Sequence, residues 1–236
     1  CTLLCMITNK MISVRKKYQL INLFNSLFKE KFKEKLNFDW SKYPSRYEII
    51  QKIIDIKKYK SYLEIGCFKN ETFDKINIDK KIGVDPVSGG NIKLTSDEFF
   101  KRNSETFDII FIDGLHIYEQ VRKDIFNSLK FLNKNGVVLL HDCLPKKARD
   151  QIIPRAHEHW NGDVWKAIVE CRTIKNIDTY TCLADQGIGV IFNTPNKKVL
   201  NLDNKNFKKM KFKDYYYNNK EYMNLIEVED LFKKFS

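Results

Sequence analysis

The stretch Lys60-Ser61-Tyr62-Leu63-Glu64-Ile65-Gly66-Cys67-Phe68-Lys69-Asn70-Glu71-Thr72-Phe73 decides how the chain is read. It opens as a short apolar run of the kind that forms a buried strand. A glycine ends the run, and a helix across Thr72 to Ile76 is expected after it. Three later runs have the same form: Lys81-Ile82-Gly83-Val84-Asp85-Pro86, Phe107-Asp108-Ile109-Ile110-Phe111-Ile112-Asp113-Gly114 and Gly136-Val137-Val138-Leu139-Leu140-His141-Asp142. Each closes on an acidic residue.

Between these runs the periodicity is helical. Ser45 with Glu48, and Thr95 with Glu98, have the spacing of capping boxes, opening helices at Tyr47 to Ile56 and Glu98 to Arg102. A further helix is expected over Tyr118 to Leu132, and another over Val164 to Arg172 with Asp163 as its cap. A short strand is read at Asn91 to Leu94. Tyr180 to Leu183 and Gly189 to Phe192 are separated by Ala184-Asp185-Gln186-Gly187, a gap that suits a hairpin. Alternating strands and helices imply an α/β fold with a mostly parallel, doubly wound sheet and helices on both faces.

Such a sheet gathers the carboxyl ends of its strands along one edge, where ligands bind. Glu64, Asp85, Asp113 and Asp142 are therefore expected in one crevice. Asp85 falls about 20 residues after the first strand motif, the place of an acid that holds ribose hydroxyls. Gly66 allows close approach of a ligand to the backbone. The loop after it is not G-x-G-x-x-G but carries the bulky Cys67 and Phe68, which disfavours a dinucleotide.

Length and composition set outer bounds. A chain of 236 residues, 43% hydrophobic with nine glycines and five prolines, can build a proper core. The division expected is a basic helical extension over 1–42, a ligand-binding domain over 43–195, and an aromatic, basic extension over 196–236 packed on that domain and ending in a helix over Val228 to Phe235. The first extension contains a helix over 14–36 with Tyr18, Ile21, Leu27, Phe28 and Phe32 on its apolar side. The net charge of +12 is read as a solvated basic surface, with an acidic partner, nucleic acid or anionic glycan, as the alternative. Six cysteines, at 1, 5, 67, 143, 171 and 182, lack zinc-ligand spacing and read as reduced thiols of a cytoplasmic protein. The apolar start, Cys1 to Thr8, lacks the basic region and cleavage site of a secretory signal. Met6 and Met11 are candidate starts, and the parent chain can be longer. No run reaches the roughly 18 apolar residues of a membrane span.

Leu63-Glu64-Ile65-Gly66, Val84-Asp85-Pro86, Ile112-Asp113-Gly114-Leu115-His116 and Leu140-His141-Asp142 resemble the class I S-adenosylmethionine-dependent methyltransferases. The branch most similar is that of the macrocin and related sugar O-methyltransferases, over about Tyr43 to Phe192. Thr95-Ser96-Asp97-Glu98-Phe99-Phe100 and Trp160-Asn161-Gly162-Asp163-Val164-Trp165-Lys166 look like segments of that branch. The resemblance implies seven strands with the last antiparallel, and S-adenosyl-L-methionine as cofactor. By position, Glu64 and Gly66 fall near the methionine part, Asp85 at the ribose, Ser96 at the adenine, and Asp113, a catalytic candidate, near the sulfonium and the acceptor; Cys67, Phe68, Pro86 and Gly114 are further cofactor-binding candidates. It also implies methyl transfer to a hydroxyl, of a sugar or glycan acceptor. Nucleic-acid methylation is the alternative that the charge favours, although no Asn/Asp-Pro-Pro-Tyr/Phe motif is present. A non-catalytic module with the same fold is the other.

Metal-dependent relatives hold a divalent cation with an acid after the fourth strand and a pair after the fifth. This chain offers Asp113, His141 and Asp142 for Mg²⁺ or Mn²⁺; the histidine departs from an all-oxygen set. Alternatively, Asp113 contacts only the cofactor and Asp142 caps a loop. His116 can serve as general base for the acceptor hydroxyl, or order its loop by hydrogen bonds. Trp160 and Trp165, with Asp163, are either a wall beside the acceptor or core. His157 and His159 read as surface residues.

Overall fold

The computed structural model describes residues 13–28 and 30–236. The readings of Cys1, Cys5, Met6, Met11 and the apolar start lie outside them, as do the side chains of Leu27 and Phe28.

Seven strands form one sheet: β1 Ser61–Ile65, β2 Lys80–Val84, β3 Phe107–Ile112, β4 Leu132–Leu140, β5 Asp178–Cys182, β6 Ile188–Phe192 and β7 Leu225–Ile226. Their order is β2-β1-β3-β4-β6-β5-β7. All ladders are parallel except those of β6, which runs against both β4 and β5. The β5–β6 hairpin is the one read from the four-residue gap.

Period-two alternation divides the sheet's side chains between two cores. Leu63, Ile65, Ile110, Ile112, Val138 and Leu140 point to one face, under helices α3 Ser96–Arg102, α4 Tyr118–Lys130, α5 Trp165–Arg172 and α6 Phe212–Met223. Tyr62, Ile109, Phe111, Val137 and Leu139 point to the other, under α2 Arg46–Lys57 and α7 Val228–Lys233. Near-continuous apolar strands are what burial on both faces requires. Both capping boxes form: Glu48 accepts from the Ser45 N–H at 2.8 Å, and Glu98 accepts from the Thr95 N–H at 3.1 Å.

Register builds the functional edge. Val84, Ile65, Ile112 and Leu140 are paired in one row across β2, β1, β3 and β4. The residues one step beyond that row are Asp85, Gly66, Asp113 and His141. Backbone bonds carry the alignment past the strands: Gly66 N to Val84 O at 2.8 Å, Asp113 N to Ile65 O at 2.8 Å, and His141 N to Ile112 O at 3.1 Å. Gly66 has φ +89°, and a Cβ there would overlap the backbone of Asp113 and Gly114. A glycine is required for that close approach.

Three expectations are corrected. No α-helix follows β1; only a 3₁₀ turn, Phe73–Lys75, interrupts the loop. Phe68 and Asn70 adopt left-handed φ of 46° and 62°, which an α-helix does not accommodate. The Asn70 side chain also ties the loop across to Gly90 N at 2.6 Å. The strand read at Asn91 to Leu94 reduces to a single bridge between Ile92 and Val84. Asn91 turns its side chain onto Gly83 N (2.8 Å) and Lys81 O (3.2 Å), taking groups that a ladder would use.

The N-terminal helix, α1 Val14–Phe28, stops short of residue 36, because Glu30 is drawn to the start of α6, accepting from Phe212 N and Lys213 N at 2.8 Å each. Of its expected apolar side, Ile21 is buried, while Tyr18 and, beyond its end, Phe32 are half-buried. Residues 196–236 join the same sheet and core. They supply β7, and Phe212, Tyr215 and Met223 lie in the core. No helix among the described residues is long and apolar enough to cross a membrane.

Candidate active site

A cleft of about 770 Å³ opens at the carboxyl ends of β1, β2 and β3. Glu64, Gly66, Cys67, Phe68, Asp85, Pro86, Ser96, Asp113, Gly114, His116 and Trp160 all line it. His141 and Asp142 lie beneath, 5% exposed each. Asp163 and Trp165 are not on its wall. Among the described cysteines, 67, 143, 171 and 182 are free and buried, and burial pushes the Cys67 thiol up, away from reactivity.

At one end, Asp85 binds the loops together as well as facing the cleft. Its Oδ2 accepts from Phe68 N at 3.0 Å, and its Oδ1 from Val87 N and Ser88 N at 2.9 Å each. Burial raises its pKa, but the N–H groups of Ser88, Phe68 and Val87 outweigh that and hold it below the usual carboxylate range. Beyond it, Gln120 reaches from α4 to Ser96 Oγ (3.1 Å), Asp97 Oδ1 (3.0 Å) and Asp124 Oδ1 (3.1 Å). Asp124 is 1% exposed, and burial pushes it up to about 6. Sequence reading missed Gln120 and Asp124, which sit inside a helix with no motif around them.

Under the middle of the cleft lies a cluster of charges. His116 Nε2 is 3.2 Å from Asp113 Oδ1, and its Nδ1 is 3.1 Å from Asp142 Oδ2. His141 Nδ1 is 3.3 Å from Asp113 Oδ1 and 3.4 Å from Asp142 Oδ2, while its Nε2 is 3.3 Å from Asp185 Oδ1. Arg46 faces Asp113 at 3.7 Å and Asp185 at 3.4 Å. Burial alone would lower both histidines, but the carboxylates of Asp142 and Asp113 reverse this, His141 being raised furthest. The same contacts, with the two imidazoles facing it, hold Asp113 well below its ordinary range despite burial. Asp185 is lowered to about 2, burial being outweighed by His141 and Arg46. Arg46 and Asp185 were not found from sequence: one is the first residue of a helix, the other a hairpin residue. Asp142, at φ 61°, is turned back beneath His116 by its left-handed backbone.

Asp113, His141 and Asp142 each offer a ligand atom, all within 4.8 Å of one another. Asp185 on the far nitrogen of His141 fixes the ring so that Nδ1 faces the two carboxylates, the usual support for a metal-binding imidazole. Two carboxylates and an imidazole suit Mn²⁺ better than Mg²⁺.

The loop after β4 covers the site. Trp160 stacks on His116, with ring centres 5.4 Å apart and planes at 22°, and is pinned by its Nε1 donating to Ile152 O at 2.6 Å. Next to it, Asn161 Nδ2 donates to Asp142 Oδ1 at 2.8 Å. Asp163 caps a different helix from the one expected. Its Oδ1 accepts from Tyr118 N, at the start of α4, at 2.7 Å, and its Oδ2 pairs with Lys166 at 3.0 Å. Trp165 is fully buried against Tyr215, ring centres 5.0 Å apart. Neither lines the cleft. His157 meets Arg149 O at 2.8 Å, and His159 is exposed; neither lines the cleft.

Glu64 is 1% exposed and accepts a hydrogen bond from Tyr62. Burial pushes its pKa up from 4.5 to about 8, the bond from Tyr62 opposing. The folded protein therefore keeps a proton that the unfolded chain releases, so stability falls as pH rises from about 4.5 to about 8 and loses nothing more on this account above it. Glu64→Gln removes this dependence. Denaturant titrations at pH 5.5 and 8.5 should show the wild type losing stability relative to the variant at the higher pH. An equal difference at both would contradict the protonated state of Glu64.

Solved structures similar to this chain include an O-methyltransferase from Bacillus cereus in complex with SAH (12% identity, 78% of this chain and 91% of that one, TM-score 0.46). Another is the O-methyltransferase TomG from Streptomyces achromogenes in complex with SAM (10% identity, 78% and 91%, TM-score 0.47). A third is the SAH-bound methyltransferase PaMTH1 from Podospora anserina (17% identity, 77% and 88%, TM-score 0.44). No curated protein matches. Residues 42–143, which contain α2, the strands β1 to β4, Asp85, Asp113, His116, His141 and Asp142, match the family described as a methyltransferase domain.

Proposed function

We propose that this chain is an S-adenosylmethionine-dependent O-methyltransferase whose acceptor is the hydroxyl of a small molecule, a sugar or glycan. The observation that carries this reading is the row of Gly66, Asp85 and Asp113 on one wall of the cleft, with His116 at the boundary between that wall and the loop after β4. The cofactor carries a net positive charge, and the ionised carboxylates of Asp85, Asp97 and Asp113 line the cleft. Asp85 retains lone pairs for the ribose hydroxyls beyond its three backbone partners. Gly66 lets the backbone of Asp113 and Gly114 close against the end of β1, which sets Asp113 on the cleft wall.

The acceptor oxygen must approach the methyl carbon in line with the breaking C–S bond, and it loses its proton as the new bond forms. Positioning supplies much of the rate. His116, lining the cleft beside Asp113, is the group that would take the proton in its neutral form. A sulfonium beside Asp113 offsets the carboxylate charge that otherwise keeps the imidazole protonated. Asp142 and the Trp160 carbonyl, 3.1 Å and 3.4 Å from Nδ1, fix the ring's orientation. Asp113, His141 and Asp142 would hold a divalent cation, whose chemical contribution is Lewis-acid polarisation of the acceptor hydroxyl.

His116→Asn should leave S-adenosylhomocysteine affinity nearly intact and lower kcat by about 10²–10⁴. Labelled-methyl transfer across free sugars, sugar nucleotides, glycans and RNA supplies the rate measurement. Near-native kcat in the variant removes His116 from the proton's path, and transfer to RNA alone replaces the sugar reading. Exhaustive chelation should abolish turnover and lower the thermal midpoint, both restored by Mn²⁺. Full activity and an unchanged midpoint after chelation would leave the three ligands as a structural cluster.

A further inference from the structure

Two arginines line the cleft, and they are satisfied in opposite ways. Arg46 is surrounded by acid: Asp113 at 3.7 Å, Asp185 at 3.4 Å and Glu71 at 3.5 Å. Arg155 has no carboxylate within ion-pair distance among the described residues. It donates from Nε to His157 O at 3.1 Å and from Nη2 to Glu158 O at 2.7 Å, and its guanidinium carbon lies 5.8 Å from the centre of the Trp160 indole. Two neutral carbonyls and a ring hold the guanidinium in place, while its charge stays uncompensated. Of its five N–H donors, three are left for a ligand. A planar cation fixed in this way suits the oxygens of a phosphate or carboxylate, which it can bind in pairs.

Position says which ligand this is. Arg155 is on the loop after β4, whereas Asp85 follows β2 and Asp97 and Asp124 lie on α3 and α4. Trp160 connects Arg155 to the reaction centre, since the same indole stacks on His116 at 5.4 Å. Imidazole and guanidinium thus both lie against one indole, so a ligand at one is near the other. We propose that Arg155 determines acceptor specificity, selecting a sugar that carries an anionic group, a phosphate ester or a carboxylate, while its hydroxyl lies at His116. This rests on the O-methyltransferase reading above. Among the residues lining the cleft, Arg155 is the cation without an acidic partner, which fits one anionic group rather than the repeated phosphates of a nucleic acid.

The test uses the whole protein loaded with S-adenosylhomocysteine, titrated calorimetrically with glucose 1-phosphate, glucuronate, methyl glucoside and a single-stranded RNA oligomer. At least one of the two anionic sugars should bind about tenfold or more tightly than the neutral one, the scale of a charge-assisted hydrogen bond. The two separate phosphate from carboxylate. Arg155→Gln should erase that preference without changing S-adenosylhomocysteine affinity, and Arg155→Lys should restore part of it. The inference is overturned if neither anionic sugar is preferred or bound, if Arg155→Gln binds them as the wild type does, or if only RNA binds. A protein that fails to take up S-adenosylhomocysteine at the outset instead defeats the underlying methyltransferase reading, before any sugar is added.

Discussion

The carboxylate of Asp113 sits where four parts of the chain must agree. It follows β3 directly and faces His116 from its own loop, His141 from the end of β4 and Arg46 from the start of α2. Through His141 and Arg46 it is linked to Asp185 in the β5–β6 hairpin. His141 is buried and Asp113, His116, Arg46 and Asp185 are partly buried, so removing one partner leaves the others poorly compensated. The arrangement therefore constrains the end of the sheet as a unit. It holds His116 against Trp160 on the wall of the cleft.

That geometry follows from register more than from loops. One row of paired residues across four strands puts Gly66, Asp85, Asp113 and His141 side by side. Apolar alternation specifies the row, since a slip by one residue would turn each strand's core face outward. This is why the acid-ended strands were legible in the sequence. Each run carried its own burial signal, and the residue just past it was exposed to the same edge.

What was not legible depended on side chains acting across the fold. Asn91 replaces a strand by bonding β2 with its amide, and Asn70 fastens a loop where a helix was expected. Asp163 lies two residues before α5 but caps α4, because its segment passes beside Tyr118. Trp165 and Trp160 are five residues apart in similar surroundings, yet one is core and the other lines the cleft. Arg46, Asp185 and Arg155 have no local pattern at all. Their significance comes from the charges they meet or, for Arg155, fail to meet.

The central claim is that the strand-end acids form a binding site for S-adenosylmethionine, with Asp85 at its ribose. Isothermal titration of S-adenosylmethionine into the wild type and Asp85→Asn tests it most directly, with hydrogen exchange confirming that the loops after β1 and β2 stay folded in the variant. The account predicts saturable one-to-one binding to the wild type and a clear loss of affinity in Asp85→Asn. Absence of binding to the folded wild type, or equal affinity in both proteins, would contradict it.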